Sequence, residues 1–294
     1  MLPFSGMRGV FATRSFKKNE LLFRIPSDCG LALSNPDLGG EDTPTIAHCG
    51  RNFLNLYRNH PTASKFWAPY LNSLPTENSN FDPSPDFFDE DEIEMLEFPR
   101  SVKLAQNRMV EVMTLSEEED IPFSDLQFAT WIVSSRSFEI SIDDAGDKRE
   151  DITAVIQVQN KKKIRVLVPY LDMVNHSSDF PNAAFHLVDA EKDDAWFSLK
   201  ANGPIKKGQE IRIAYGNRYM NSVEMLQRYG FVPKGNQVDK AMLRKGGDDC
   251  IGVLEKWSTN IQVDETLLKS GDLSENMAKV LRLRLQLKKA CALS

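Results

Sequence analysis

The stretch of sequence that decides the fold is VPYLDMVNHS, residues 168–177. A β-favouring apolar run here ends in three polar side chains, Asp172, Asn175 and His176. Each of them can hydrogen-bond to neighbouring backbone or to a polar ligand. Taken by itself, the stretch is typical of a turn that ends a strand and satisfies its own polar groups.

A second informative stretch lies further along the chain. It reads IRIAYGNR over residues 211–218 and is followed by Asn221, Glu224 and YGF at 229–231. A tyrosine that ends a strand, such as Tyr215, is by itself more typical of aromatic packing than of a catalytic phenol. A functional interpretation therefore depends on both stretches occurring together.

Composition limits the classes of protein to be considered. The chain has 294 residues, of which 41% are hydrophobic and 27% charged, as is typical of a globular protein. Its net charge of −6 provides no overall basic field, so we expect no nucleic-acid partner. No apolar run approaches the ~20 residues of a membrane span, so we expect no membrane partner. Four scattered cysteines without a CxxC motif favour reduced thiols inside the cell.

Apolar spacing predicts the helices and one hairpin. Two short apolar runs at residues 10–13 and 21–26 flank a polar turn, which predicts a β-hairpin. Spacing of three and four residues then predicts helices in a block of about ninety residues. These predicted helical segments are residues 53–57, 66–71, 95–113 and 123–140, with two more at 222–229 and 276–290.

Short strand patterns return after residue 151. The predicted strands are residues 152–158, 164–169, 183–188, 195–199 and 210–215. Their short lengths and the Gly, Pro and Asp residues between them favour small sheets over βαβ crossovers. The predicted fold class is therefore α+β, with a helical block inserted between two β-rich parts.

Familiar nucleotide-binding and catalytic motifs are missing from the sequence. There is no GxxxxGK[ST], HExxH or GxSxG motif, and GMRG at residues 6–9 lacks the third glycine of a dinucleotide-binding turn. His176 and His186 have no local ladder of carboxylates. We therefore expect no metal site.

Five ordered segments resemble one known family. They are GMRGVFATR (6–14), FWAPYL (66–71), TWIVSSRSF (130–138), DMVNH (172–176) and the stretch from Tyr215 to Phe231. In this order they resemble the SET-domain protein methyltransferases of the Rubisco large-subunit lysine methyltransferase branch, which includes the actin-histidine methyltransferases. The resemblance implies small sheets, a helical insertion and a pseudoknot, in which a threaded chain crossing brings the Asn-His turn beside Tyr215.

The same resemblance implies S-adenosyl-L-methionine as the methyl donor. The residues it assigns to cofactor binding are Gly6, Met7, Arg8, Arg136, Asp172, Asn175, His176 and Tyr215. Arg136 would pair with the donor carboxylate, because a guanidinium presents a planar fork of donors. Asn175 and His176 would surround the adenine. Tyr215 would be the catalytic phenol, near the sulfonium methyl and the accepting nitrogen.

The resemblance also assigns a substrate channel, formed by Phe138, Phe185 and Tyr229. Phe138 stands where the actin-histidine enzymes carry Asn, and an apolar ring suits a lysine stem. The sequence lacks the CxCx4C tail of many histone-directed enzymes. We therefore predict a protein-lysine N-methyltransferase acting on a non-histone protein. A protein-histidine N-methyltransferase and a catalytically weak SET-like protein-binding module stay open as alternatives.

The predicted domains combine two SET parts with two helical regions. They are residues 1–33 (SET, N-terminal part), 34–150 (helical insertion), 151–234 (SET, C-terminal part) and 235–294 (helical substrate-binding region). The last is about half as long as its family counterpart, so we expect a truncated chain. We also expect a monomer that binds a protein substrate presenting a lysine. The expected location is the cytoplasm or nucleus, or a plastid if an N-terminal transit segment is missing.

Overall fold

The computed structural model describes residues 9–34, 44–77, 81–142, 162–188, 195–216, 220–245 and 256–292. The strands are β1 (Val10–Phe11), β2 (Leu21–Pro26), β3 (Leu31–Ala32), β4 (Phe138–Ile142), β5 (Lys162–Leu167), β6 (Asn175–His176), β7 (Ala183–Val188), β8 (Trp196–Ala201) and β9 (Glu210–Ile213). The α-helices are α1 (Ile46–Phe53), α2 (Ala63–Phe66), α3 (Ala68–Leu71), α4 (Glu90–Glu94), α5 (Pro99–Glu118), α6 (Phe123–Arg136), α7 (Ser222–Tyr229), α8 (Gln237–Lys245), α9 (Ile261–Ser270) and α10 (Glu275–Ala292).

The chain divides into two compact units. The first, here called the sheet unit, comprises Met1–Ser73 and Arg136–Arg218, and the second, the helical unit, comprises Leu74–Ser135 and Tyr219–Ser294. Each unit is therefore assembled from two stretches that are distant in the sequence. The helical insertion predicted at 34–150 is divided between them, because α1 to α3 belong to the sheet unit.

Among the described residues, the strands form three small sheets, with the orders β1-β9-β6, β2-β8-β7 and β3-β5-β4. β9 is antiparallel to β1, with Val10 opposite Ile211, and parallel to β6, with Asn175 opposite Arg212. β9, which lies near the end of the sheet unit in sequence, is thus paired with β1 from the beginning of this unit and with β6 from its middle. The α+β fold class with small sheets is confirmed.

The predicted N-terminal hairpin is wrong. β1 pairs with β9, whereas β2 pairs with β8, where Ile25 lies opposite Phe197. Both of these side chains are buried in the core of the sheet unit. The local pattern identifies each run as a strand, but burial against distant strands decides its partner.

The helix predicted at 123–140 is too long. α6 ends at Arg136, and β4 begins at Phe138 and pairs with β5. Ile140 is buried in the core of the sheet unit, and Phe138 packs against that core. Alternate side chains of a strand point to the same face, so Phe138 and Ile140 both meet the core. Burial of this strand face decides the structure at the end of the segment, although the spacing there also fits a helix. The strand predicted at 152–158 lies outside the described residues.

Most other helices lie near their predicted positions. α7 has the predicted bounds, and α10 extends the predicted 276–290 segment by a residue or two at each end. The segment predicted at 66–71 breaks at Trp67 into the end of α2 and the start of α3, which has Pro69 in its first turn. In the helical unit, Leu226 of α7 and Leu283 of α10 share one buried apolar cluster. Of the helices described, none combines the length and apolarity that a bilayer crossing requires.

Candidate active site

The apolar residues of the 168–177 stretch anchor it in the core. Val168, Leu171 and Val174 are buried in the core of the sheet unit. A short turn of 3₁₀ helix over Leu171–Met173 lies between Val168 and Val174 and precedes β6. Because the buried residues fix the backbone, the polar residues between and after them have fixed positions.

Tyr215 and His176 lie side by side. The parallel pairing of β6 with β9 puts His176 opposite Ile213, two residues before Tyr215. The backbone N–H of Tyr215 donates to Nδ1 of His176 over 3.0 Å, and the two ring centroids are 5.2 Å apart. The chain crossing therefore brings the Asn-His turn beside Tyr215, as the sequence predicts.

The hydrogen bonds of His176 fix its protonation state. Nδ1 accepts from a backbone N–H and so carries a lone pair, which leaves the proton on Nε2 to donate to Oγ of Ser178 over 2.8 Å. Burial lowers the pKa of His176 to about 4, against a smaller opposing effect of Asp179. The ring is therefore neutral at physiological pH.

The phenol of Tyr215 is held at its other end as well. Its hydroxyl donates to the backbone carbonyl of Val174 over 2.9 Å. The tyrosine is thus tied to the 174–176 turn through both its backbone and its side chain. Gly216 follows with φ of 61°, a left-handed conformation that suits glycine and turns the chain directly after the tyrosine.

Asn175 binds the strand beside it. Its amide nitrogen donates to Oε1 of Glu210 over 2.7 Å. The backbone of Gly9 passes so close that a Cβ at this position would lie 2.7 Å from that same Oε1 and 2.9 Å from the Asn175 amide nitrogen. A side chain at position 9 would therefore force the Glu210 carboxylate and the Asn175 amide to move. Gly6, Met7 and Arg8, which the sequence assigns to the cofactor, lie outside the described residues.

A buried polar cluster lies next to this turn. Nη1 of Arg136 donates to Oδ2 of Asp172 over 3.2 Å, and the hydroxyl of Tyr70 donates to the same oxygen over 3.1 Å. Burial raises the pKa of Asp172, and the Arg136 cation opposes this shift. Burial, reinforced by the Asp172 charge, also raises the pKa of Tyr70 well above its usual value. At neutral pH Tyr70 is therefore a hydrogen-bond donor in this cluster.

Two atoms of the cluster have no partner. Among the described residues, Oδ1 of Asp172 and Nε of Arg136 are buried without a hydrogen bond. The Asp172 side chain is fully buried, whereas 23% of the Arg136 side chain is exposed. Arg136 is thus the member that presents charge towards solvent, and its cation and incomplete hydrogen bonding suit the carboxylate of the implied methyl donor.

The residues assigned to the substrate channel fall in both units. In the sheet unit, the rings of Phe138 and Phe185 have centroids 4.9 Å apart, and Phe185 also stacks on Phe197. Tyr229 ends α7 in the helical unit, with its ring 6.2 Å from that of Phe231. The structure therefore brings Phe138 and Phe185 together, and the channel role of all three stays a prediction.

Some groups of the site could not be singled out from the sequence. Tyr70 lies in the FWAPYL motif at residues 66–71, but neither the motif nor its helical spacing assigns a role to this residue. The Val174 carbonyl belongs to the backbone, so the residue type does not reveal it. Ser178, directly after the predicted stretch, supplies the partner of His176. Among the described residues, no group of three or more His, Cys, Asp or Glu side chains is placed to hold a metal ion.

Comparisons with known proteins agree with this geometry. The chain is 25% identical over 256 residues to ribosomal lysine N-methyltransferase 4 of Saccharomyces cerevisiae, covering 76% of this chain and 49% of the relative. It is 22% identical to the actin-histidine N-methyltransferase of Otolemur garnettii, covering 81% and 40%. The crystal structure of the SET domain of LSMT bound to MeLysine and AdoHcy superposes with a TM-score of 0.65 at 16% identity, covering 97% of this chain and 83% of that one.

A second solved structure, Rubisco LSMT bound to AdoMet, superposes with a TM-score of 0.63 at 17% identity, covering 97% of this chain and 83% of that one. These likenesses show the fold. The chain spans about half the length, or less, of the two sequence relatives named above. The family model of the SET domain matches residues 7–216. The chain therefore belongs to the SET-domain family.

Proposed function

We propose that the chain is an S-adenosylmethionine-dependent protein-lysine N-methyltransferase that acts on a non-histone protein. The observation that carries the proposal is the double anchoring of Tyr215, whose N–H and hydroxyl both bind the 174–176 turn. A phenol fixed in this way can orient an acceptor without itself changing conformation. A yeast relative named as a ribosomal lysine methyltransferase supports the choice of acceptor.

The residues present fit the proposed donor. Arg136 would pair with its carboxylate, and the Asn175-His176 turn would bind around its adenine. When bound, S-adenosylmethionine would supply a methyl group activated by a positive sulfur. The chain itself then has to bind and align the two reactants, and such alignment is a large part of catalysis in a displacement reaction.

Tyr215 would align the acceptor. Its phenol oxygen can accept an N–H of the substrate amine and so turn the nitrogen lone pair towards the methyl group. A lysine amine has a reference pKa of about 10.4 and attacks only when neutral. Apolar surroundings such as the Phe138 and Phe185 rings disfavour the ammonium form and so lower the pKa of that amine.

A histidine acceptor is the second candidate, because a relative carries the name actin-histidine N-methyltransferase. The two acceptors are separated by incubating the chain with isotopically labelled donor in an extract of its source cells and identifying the labelled residue by mass spectrometry. Methyllysine in a non-histone protein is the expected result. Detection of methylhistidine would show that histidine, not lysine, is the acceptor. If no protein is labelled, the result would favour a binding module.

The role of Tyr215 is tested by Tyr215→Phe. We expect turnover to fall by at least about 100-fold, since a misaligned acceptor costs this much. Binding of S-adenosylhomocysteine, measured by calorimetry, should change little. Tyr170→Phe is the matched control, because Tyr170 lies in the same unit and is exposed. Equal losses of turnover and of cofactor binding in Tyr215→Phe would contradict the assigned role.

A further inference from the structure

Tyr70 reaches the candidate donor site from a distant part of the sequence. It lies in α3, 102 residues before Asp172, and its hydroxyl donates to Oδ2 of that carboxylate. Only 7% of Tyr70 is exposed. Tyr70 is therefore a buried side chain whose hydroxyl binds a buried carboxylate.

The arrangement of Asp172 and Arg136 is incomplete in a specific way. A carboxylate and a guanidinium can form two parallel hydrogen bonds, which is their most favourable geometry. Here a single side-chain oxygen, Oδ2, accepts from Arg136, while Oδ1 of Asp172 and Nε of Arg136 are buried and have no hydrogen-bond partner within the part of the chain that the structure describes. With Nη1 already donating to Oδ2, a second parallel bond would run from Nη2 of Arg136 to Oδ1 of Asp172, because the Nε–H lies on the other side of the guanidinium from Nη1.

The hydroxyl of Tyr70 explains why this second bond is not formed. It binds the same Oδ2 that accepts from Arg136, and so fixes the rotation of the carboxylate. Without this hydroxyl, Asp172 could turn until both of its oxygens bind Arg136. The guanidinium would then be satisfied internally and would have less capacity to bind an anion.

We propose that Tyr70 is a positioning residue of the donor site: by holding Asp172 in a one-oxygen contact, it keeps Arg136 available to the carboxylate of S-adenosylmethionine. The proposal rests on the function proposed above and extends it to a residue of α3 in the sheet unit. Tyr70 does not contact the donor in this scheme, and it acts only through Asp172 and Arg136.

The test compares two ligands on the Tyr70→Phe variant by calorimetry. S-adenosylhomocysteine carries the amino-acid end that Arg136 would bind, whereas methylthioadenosine shares the adenosine part but lacks that end. We expect Tyr70→Phe to lower the affinity for S-adenosylhomocysteine about tenfold, because one charged hydrogen bond to this ligand loses its support. Binding of methylthioadenosine should stay as in the parent chain.

The matched control is Tyr57→Phe. Tyr57 also lies in the sheet unit, and its hydroxyl donates to the carbonyl of Ala32 over 2.9 Å, so the variant loses a hydroxyl bond of similar length. We expect it to bind both ligands normally. Melting temperatures of the variants without ligand show whether each one is folded.

A double-mutant cycle tests whether Tyr70 acts through Asp172. Asp172→Asn removes the carboxylate that could otherwise bind Arg136 through both oxygens, so adding Tyr70→Phe to it should cause no further loss of S-adenosylhomocysteine binding. Unchanged S-adenosylhomocysteine affinity in a folded Tyr70→Phe variant would overturn the proposal, and so would equal weakening of both ligands. If the parent chain binds no S-adenosylhomocysteine, the proposed function itself fails.

Discussion

His176 has two roles that depend on its being neutral. Its Nδ1 accepts the backbone N–H of Tyr215, and its Nε2 donates to Ser178. A protonated imidazole has no lone pair at Nδ1, so protonation breaks the contact that holds the backbone of Tyr215. The charge state of this ring therefore links the solution pH to the geometry of the candidate catalytic residue.

We expect the sheet unit to lose stability in mild acid. The pKa of His176 is lowered from 6.5 to about 4 in the folded chain, so the unfolded chain binds the proton more tightly. The stabilising contribution is therefore complete above about pH 6.5 and is lost as pH falls towards 4. Urea unfolding at several pH values, followed by tryptophan fluorescence, measures this loss.

His176→Gln removes the titrating group, so the free energy of unfolding should change less with pH between pH 6.5 and about 4. His186→Gln is the control for removing a histidine from the same unit. A curve as steep in His176→Gln as in the parent chain would show that other groups cause the acid sensitivity.

The sequence allows some residues of the site to be predicted and hides others. Tyr215 and the Asn-His turn carry polar or aromatic groups at the ends of strand patterns, in a recognisable order. The FWAPYL motif at residues 66–71 contributes to the family resemblance, but the helical spacing of Tyr70 equals that of an ordinary packed aromatic and assigns it no role in the site. Its function depends on a hydroxyl that meets Asp172 only after the chain has folded.

At the scale of single elements, α7 shows why some predictions succeed. Asn221 caps its first turn by accepting from the N–H of Glu224, whose side chain accepts in return from the N–H of Asn221. Gly230 ends the helix with φ of 76°. Both signals are local in the sequence, so the helix can be located without knowing what it packs against.

The glycine that ends α7 provides a test. A Cβ at Gly230 would lie 2.1 Å from the backbone oxygen of Asp82, whereas a Cβ at Gly235, which has φ of 72°, would meet nothing within 4 Å. Gly235→Ala should therefore cost only the ~1–2 kcal/mol of a left-handed backbone. Gly230→Ala should cost clearly more, since backbone atoms must also move. Chemical denaturation followed by tryptophan fluorescence compares the two variants. Equal costs would show that the backbone at Asp82 moves aside without loss of stability.

Strand pairing shows where local signals fail. Residues 21–26 look like one arm of a hairpin, yet β2 pairs with β8, more than 170 residues away in the sequence. Val10 and Phe11 likewise pair with β9. Alternation and turn residues define a strand but carry no information about its distant partner. The arrangement of these strands was accessible only through the resemblance of ordered motifs.

At the scale of the molecule, both units depend on contacts between distant stretches of chain. Within the helical unit, Arg284 of α10 is fully buried and pairs with Glu97, which precedes α5, over 3.2 Å. Lys288 of the same helix binds the fully buried Asp264 of α9 over 2.5 Å. Charges in these positions are costly to desolvate and stabilise a fold only when each is matched. The network therefore makes the unit sensitive to loss of any one member.

Two adjacent lysines of α10 allow a buried ion pair to be compared with an exposed one. Lys288 is 8% exposed in its contact with Asp264, whereas Lys289 is 49% exposed and binds Glu265 over 2.6 Å. Lys288→Ala leaves the buried Asp264 carboxylate with the more distant Arg284, 3.9 Å away, as its cation, so we expect a loss of about 3 kcal/mol in the free energy of unfolding. Lys289→Ala breaks a bond of almost equal length in solvent and should change the stability little. Urea denaturation of the full chain, followed by tryptophan fluorescence, distinguishes the two variants. Similar losses in both would show that burial of Asp264 does not control the stability of this unit.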